Sequence, residues 1–190
     1  ILGIAAISLR GDSKAHNSML VHVTRFINVQ SIVYDQIESE RQNIVNALTT
    51  KTGHEKLTED LRMLWEEGDQ SFQATTKKIN QRGDEIFQNP VHSWSEIKEE
   101  LLNAVNSIEI RKINGEAGDV LDYEETSGGL NVIAIGGDKL ARGLTLNGLS
   151  VSYFLRCSKM YDTLMQMGRW FGYRPGYLDL CRLFTTSELS

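Results

Sequence analysis

The chain has 190 residues, of which 41% are hydrophobic and 24% charged, with a formal net charge of -5. That balance excludes a disordered or fibrous chain and fits one globular domain, with room for a sizeable insertion. A net negative chain binds nucleic acid only through a local basic stripe, not through bulk charge.

In chain order, the opening ILGIAAISLR carries no initiator Met, basic leader or cleavage pattern. It reads as the tail of a helix, and the closing TTSELS as the start of another, so a fragment of a longer protein is expected. Met19 to Val23 reads as a buried strand, with His16, Asn17 and Ser18 as the turn before it. From Val33 the period becomes helical, with Val33, Ile37, Ile44, Val45 and Leu48 on one stripe. Gly53-His54 breaks it, and Leu57, Leu61, Leu64 and Trp65 form a second stripe. Gly68 weakens its continuation, and Phe72 to Ile79 suggests a further short helix.

Pro90 marks a boundary. Ser93 and Glu96 have the spacing of a capping box, opening a helix with Trp94, Ile97, Leu101 and Val105 on one face. Ile108 and Ile110 then alternate with polar residues, and Asn114-Gly115 is a turn signal. Val120-Leu121 suggests a short extended piece, and Ser127 to Gly129 a loop. Val132 to Ile135 is a continuous apolar run, as in a central parallel strand. Leu149 to Leu155 reads as a strand, Met160 to Phe171 as a helix and Leu180 to Phe184 as a last strand. The expected fold is α/β, a mostly parallel sheet flanked by helices. Residues 1–50 and 107–190 are expected to form it, and 51–106 a helical insertion.

No run approaches the roughly 20 apolar residues of a membrane span. Cys157 and Cys181 lack partners at metal-ligand spacing, which predicts no zinc site and weakly favours a reducing, cytoplasmic setting. A phosphate-binding loop needs Gly-Lys followed by Ser or Thr, and the chain contains no Gly-Lys pair. Gly11-Asp12-Ser13-Lys14 lacks the glycine spacing.

Two segments carry candidate chemistry. In 133–146, IAIGGDKLARGLTL, a buried strand ends in Gly136-Gly137, followed by Asp138, Lys139, Arg142, Gly143 and Thr145. Ligands of open α/β sheets bind at the carboxyl ends of strands, and paired glycines let a backbone approach phosphate. A tight turn with solvated charges would use the same residues. In 164–177, LMQMGRWFGYRPGY, Gln166, Arg169 and Arg174 lie among Gly168, Gly172 and Gly176. Arginines there could fork onto phosphate oxygens, or simply complement a helix C-terminus while Trp170, Phe171 and Tyr173 fill a core.

These two segments together resemble motifs V and VI of superfamily-2 helicases, and SMLVHVTR resembles the strand around motif IV. The run GGDKLARGLTLNGLSVSYFLRCSKMYDTLMQMGRWFGYRPGY is similar to the Z-one domain of bacterial proteins described as endonucleases, closely over 131–184 and more loosely over 1–34. The resemblance implies the C-terminal RecA-like lobe of a two-lobe, nucleic-acid-dependent ATPase. ATP and magnesium would be held mainly by an N-terminal RecA-like lobe outside this chain, so the isolated chain is expected to be inactive. It assigns catalytic arginine-finger roles to Arg169 and Arg174, nucleotide contacts to Gly143, Thr145 and Gln166, and nucleic-acid contacts, with DNA expected first, to Gly136, Gly137, Asp138, Lys139 and Arg142. Three positions depart from the helicase pattern. Gly172 stands where the second arginine usually lies, Gln166 is two rather than three residues before Gly168, and Thr145 replaces a common Asp.

Two other readings use different residues or roles. The chain could be a non-catalytic module that binds nucleic acid or a partner. A metal-dependent nuclease would use Asp84 with Glu96-Ile97-Lys98, but Ile97 on a capped helix would splay Glu96 and Lys98. Asp84-Glu85 otherwise reads as a solvated surface pair. Of the histidines, His22 in an apolar strand reads as a satisfied core residue rather than a base.

Overall fold

The computed structural model describes residues 1–12, 14–22, 26–113, 123, 129–137, 146–154 and 175–185. The chain forms two compact units. One, the helical unit, contains Ile1–Ser13, Ser39–Ser107 and Arg174–Leu180; the other, the sheet unit, contains Lys14–Glu38, Ile108–Tyr173 and Cys181–Ser190. The helical unit thus takes in the N-terminal helix and a short late segment besides the stretch 51–106.

The sheet unit is built on β1 (Asn17–His22), β2 (Ile108–Ile113), β3 (Asn131–Gly136), β4 (Leu149–Phe154) and β5 (Arg182–Thr185). All pairings are parallel, in the order β2-β3-β1-β4-β5. β1 and β3 are interior strands, which is why their sequences are nearly continuous apolar runs. One face of the sheet packs Leu20, Val132, Ala134 and Phe154 with Ile113, Leu130, Leu146 and Leu149 into a core, against which Tyr123 lies. Each of those eight core side chains is at most 4% exposed, so the sheet's register is set by this face. β1 begins two residues earlier than its apolar run, at Asn17. Its last strand-forming relative, β5, begins at Arg182, because Leu178–Leu180 forms a 3-10 turn.

The helices are α1 (Leu2–Leu9), α2 (Ile27–Thr50), α3 (His54–Glu66), α4 (Phe72–Asn80) and α5 (Trp94–Asn106). α2 starts well before Val33, and its residues to Glu38 belong to the sheet unit while those from Ser39 belong to the helical unit. In the sheet unit the Lys112 ammonium lies 5.1 Å over the Tyr34 ring, fixing the first half of α2 beside β2. Lys51 and Gly53, both at positive φ, turn the chain from α2 into α3. α3 buries Trp65, whose indole N–H donates to the His92 carbonyl at 3.0 Å. Leu64, on the expected apolar stripe, is instead exposed, because Trp65 and Thr58 define the inward face.

α5 is the helical unit's central helix. The Ser93 hydroxyl accepts from the Glu96 N–H, and the Glu96 carboxylate accepts from the Ser93 N–H at 2.7 Å, completing the capping box. Ile97, Leu101 and Val105 are fully buried and Ala104 nearly so. Ile97, Leu101 and Val105 belong to the apolar face read from the sequence; Ala104 joins them, while Trp94 is half-buried. Within the same unit α1, almost wholly apolar, buries Leu2, Ala5, Ala6 and Ile7. Among the described residues no helix is long and apolar enough to cross a membrane.

Candidate functional site

The carboxyl ends of the strands form a single row. Ile113 pairs with Gly136, Gly136 with His22, His22 with Phe154 and Phe154 with Thr185. After β1 the chain goes to β2 at one edge of the sheet; after β4 it goes to β5 at the other. Connections therefore diverge between β1 and β4, the place where open α/β sheets take ligands. Here the His22 and Phe154 rings stack at 4.4 Å with only 5° between their planes. Both are 1% exposed, so the stacked pair is buried at the carboxyl ends of β1 and β4. This matches the reading of His22 as a core residue. On the far side of His22, Gly136 ends β3 and Gly137 bends away, both buried. With no side chain at either position, the backbone is the only group they can offer.

Of the residues singled out in the sequence, Gly136 and Gly137 lie in the described structure. Asp138, Lys139, Arg142, Gly143, Thr145, Gln166, Arg169 and Arg174 lie outside the described residues, as do the turn at Asn114-Gly115, the piece at Val120-Leu121, the helix expected over Met160 to Phe171, and Cys157. Chain connectivity still constrains their origins. Segment 138–145 follows β3, and segment 155–174 follows β4. These strands flank β1, so at a strand spacing of roughly 4.8 Å the two segments depart about 10 Å apart from one edge of the sheet.

The opposite, amino edge is occupied by structural contacts. A Cβ on Gly148 would sit 1.9 Å from the His16 carbonyl oxygen, and one on Gly129 would meet Lys14 and Ala15 backbone at 2.7 Å. The Ser18 hydroxyl donates to the Asn147 carbonyl at 2.7 Å and lies 3.0 Å from the Tyr123 hydroxyl. The Ser150 hydroxyl donates to the Asn17 side-chain oxygen at 2.7 Å, and the Leu130 N–H donates to His16 Nδ1 at 3.0 Å. Burial pushes the Tyr123 phenol above its ordinary range, only partly opposed by its bond to Ser18. This edge is packed backbone against backbone.

The helical unit holds a buried polar cluster that sequence reasoning did not find. Asp179 is fully buried, and the Arg10 side chain is 7% exposed. Arg10 forks onto Asp179, with Nη1 donating to Oδ1 at 3.0 Å and Nη2 to Oδ2. Nη1 also donates to the Gly176 carbonyl. The Thr76 hydroxyl donates to Oδ2 at 2.7 Å and the Asn89 amide to Oδ1 at 3.2 Å. Asn89 is held in turn by Asn80, which donates to its carbonyl at 2.8 Å and accepts from its N–H at 3.0 Å. The only sequence signal was a lone acid inside the apolar run of LDLCRLF; its partner lies 169 residues away.

The residues considered for metal-dependent cleavage are engaged otherwise. Glu96 caps α5, and its carboxyl is pulled down to about 2 by the Ser93 hydroxyl and N–H, helped by His92. Ile97 is buried and Lys98 exposed, on different sides of a helix. Asp84 is exposed and caps the 3-10 turn Glu85–Phe87, accepting from the Ile86 N–H at 3.2 Å. Among the described residues no three His, Cys, Asp or Glu side chains are grouped to hold a metal ion.

No curated protein and no solved structure matches the chain. The family model of the Z1 domain matches residues 1–190, the whole of the sequence given. A parallel α/β sheet carrying a glycine turn after β3 and an arginine-bearing segment after β4 is therefore the core of a member of the Z1 domain family.

Proposed function

We propose that this chain is the C-terminal, helicase-like lobe of a nucleic-acid-dependent ATPase and works from the cytoplasm on DNA. The observation that carries the reading is topological. The two segments that resemble helicase motifs V and VI depart from strands on either side of β1, at the edge where the sheet's connections diverge. Arg169 would set its guanidinium against the phosphoryl group being transferred, where positive charge counts most. Arg174 would supply a second cation. Gly143, Thr145 and Gln166 would line the nucleotide, and Gly136, Gly137, Asp138, Lys139 and Arg142 would follow the nucleic-acid backbone. The nucleotide's magnesium supplies charge neutralisation and would be held, with most of the ATP, by an N-terminal RecA-like lobe.

The test uses the protein that carries this chain together with such a lobe. Arg169→Ala should lower nucleic-acid-stimulated ATP turnover by about 10³-fold or more, the usual worth of an arginine finger, with thermal unfolding unchanged. Wild-type turnover in a folded Arg169→Ala protein would exclude the finger role. A non-catalytic nucleic-acid-binding module is the second reading, favoured by the departures from the helicase pattern at Gly172 and Gln166. It predicts binding that weakens steeply with salt and no ATP turnover at all. The endonuclease association of the resembling proteins would then reside in other parts of them.

A further inference from the structure

The helical unit is assembled from three stretches of chain, Ile1–Ser13, Ser39–Ser107 and Arg174–Leu180. Each of them contributes to the buried polar cluster. Arg10 comes from the first, Thr76 and Asn89 from the second, and Gly176 and Asp179 from the third. The Asp179 carboxylate accepts from both Arg10 terminal nitrogens, from the Thr76 hydroxyl and from the Asn89 amide. Its bonds are complete only when all three stretches are in place.

A buried fork of this kind is a poor source of stability. Desolvating both charges offsets most of their attraction, and an apolar pair of similar volume often folds as well or better. Losing one partner has a different consequence, because the remaining charge stays buried without compensation. The neutral members of the cluster are insured against that loss. Thr76 also donates to the Phe72 carbonyl at 2.9 Å, and Asn89 to the Phe87 carbonyl at 3.1 Å, so each keeps an acceptor without Asp179. Arg10 has less in reserve. Its side chain is buried, and among the described residues its Nε has no acceptor. Its two terminal nitrogens bond only to Gly176 and Asp179, both in the third stretch.

We infer that the Arg10–Asp179 pair is a latch that makes α1 and the stretch Gly176–Leu180 dock on the rest of the helical unit together or not at all. Docking α1 by itself would bury a lone guanidinium, and docking Gly176–Leu180 by itself a lone carboxylate. Half-assembled states are thus penalised from both ends, which apolar side chains at the two positions would not do. The latch involves no residue assigned to ATP or nucleic acid, and it goes beyond the ATPase reading.

The experiment follows amide hydrogen exchange in the full-length protein, one stretch at a time. The Gly11 N–H, bonded to the Ser8 carbonyl, reports on the end of α1, and the Leu180 N–H, bonded to the Tyr177 carbonyl, on the third stretch. The amides of α5 report on the middle stretch. Arg10→Met should lower protection at Gly11 and at Leu180 alike, by about a hundredfold or more, although Leu180 lies far from the substitution in sequence. Asp179→Asn should do the same from the other side. Arg10→Met combined with Asp179→Leu should bring both reporters back to within about tenfold of wild type. Should a single variant unfold altogether, with α5 losing protection as well, Thr76→Val is the milder perturbation. It removes one bond to Asp179 and should lower both reporters by about tenfold with α5 unchanged. A fall confined to one of the two reporters overturns the latch. So does a double variant whose reporters stay as low as in the single variants.

Discussion

Replacing Gly148 by Ala tests how the amino edge of the sheet is built. The new Cβ would lie 1.9 Å from the His16 carbonyl oxygen and 2.7 Å from its carbon, both backbone atoms that no rotamer change can move. The backbone must separate, and the bond from the Ser18 N–H to the Gly148 carbonyl, 2.9 Å long, is the first lost. A left-handed Ala, at φ +67, adds a conformational cost. Strain, overpacking and one lost hydrogen bond together come to about 4 kcal/mol. Gly11→Ala is the control. It has φ +83 and nothing within 4 Å of its Cβ, so only the conformational cost of about 1 kcal/mol remains. The stiffening of the unfolded chain is common to both variants and cancels in the comparison. Urea unfolding followed by circular dichroism gives the two stabilities, and native-state hydrogen exchange at the β1 amides reads the sheet unit by itself. Equal losses in the two variants would refute the close approach of Gly148 to His16.

Three further substitutions test α5 and its cap. The Glu96 carboxyl is lowered from its ordinary value to about 2 by Ser93 and His92, so its charged form favours the folded state. That contribution is complete above the unfolded pKa near 4.5 and disappears as the pH falls toward 2. Glu96→Gln should flatten the pH dependence of stability in that window, and an identical acid limb in the variant would count against it. Ser93→Ala should cost about 1 kcal/mol as the loss of an N-cap. Leu101→Ala, at a fully buried position, should cost about 2–5 kcal/mol in thermal unfolding. A loss below about 1 kcal/mol would mean that α5 is not the centre of the helical unit's core.

The interior strands β1 and β3 were legible because most of their residues are buried. Val132 to Ile135 announces an interior strand, and the structure puts β3 between β2 and β1. The α5 capping box was legible because both partners are three residues apart. Asn17 and Ser18 read as turn residues by their polarity, yet they open β1. The Ser18 hydroxyl bonds Asn147 and lies beside Tyr123, and the Asn17 side-chain oxygen accepts from Ser150, all partners more than 100 residues distant. The start of α2 was hidden because its first turns carry exposed apolar residues, Val29 and Ile32, where a buried stripe was sought. Arg10 and Asp179 escaped for the same reason as Asn17: a long-range ion pair leaves no local pattern. Gly136 and Gly137 were legible as the end of the strand after Ile135, and their place beside β1 came from the strand order alone.

The proposed function turns on Arg169 acting on the phosphoryl group rather than on nucleotide affinity. Single-turnover ATP cleavage, measured with nucleotide and nucleic acid both saturating, separates these roles for wild type, Arg169→Lys and Arg169→Ala. A finger role for Arg169 predicts unchanged ATP affinity in all three, a partial loss of the cleavage rate in Arg169→Lys, and a loss of about 10³-fold in Arg169→Ala. Equal single-turnover rates in the three proteins would contradict it.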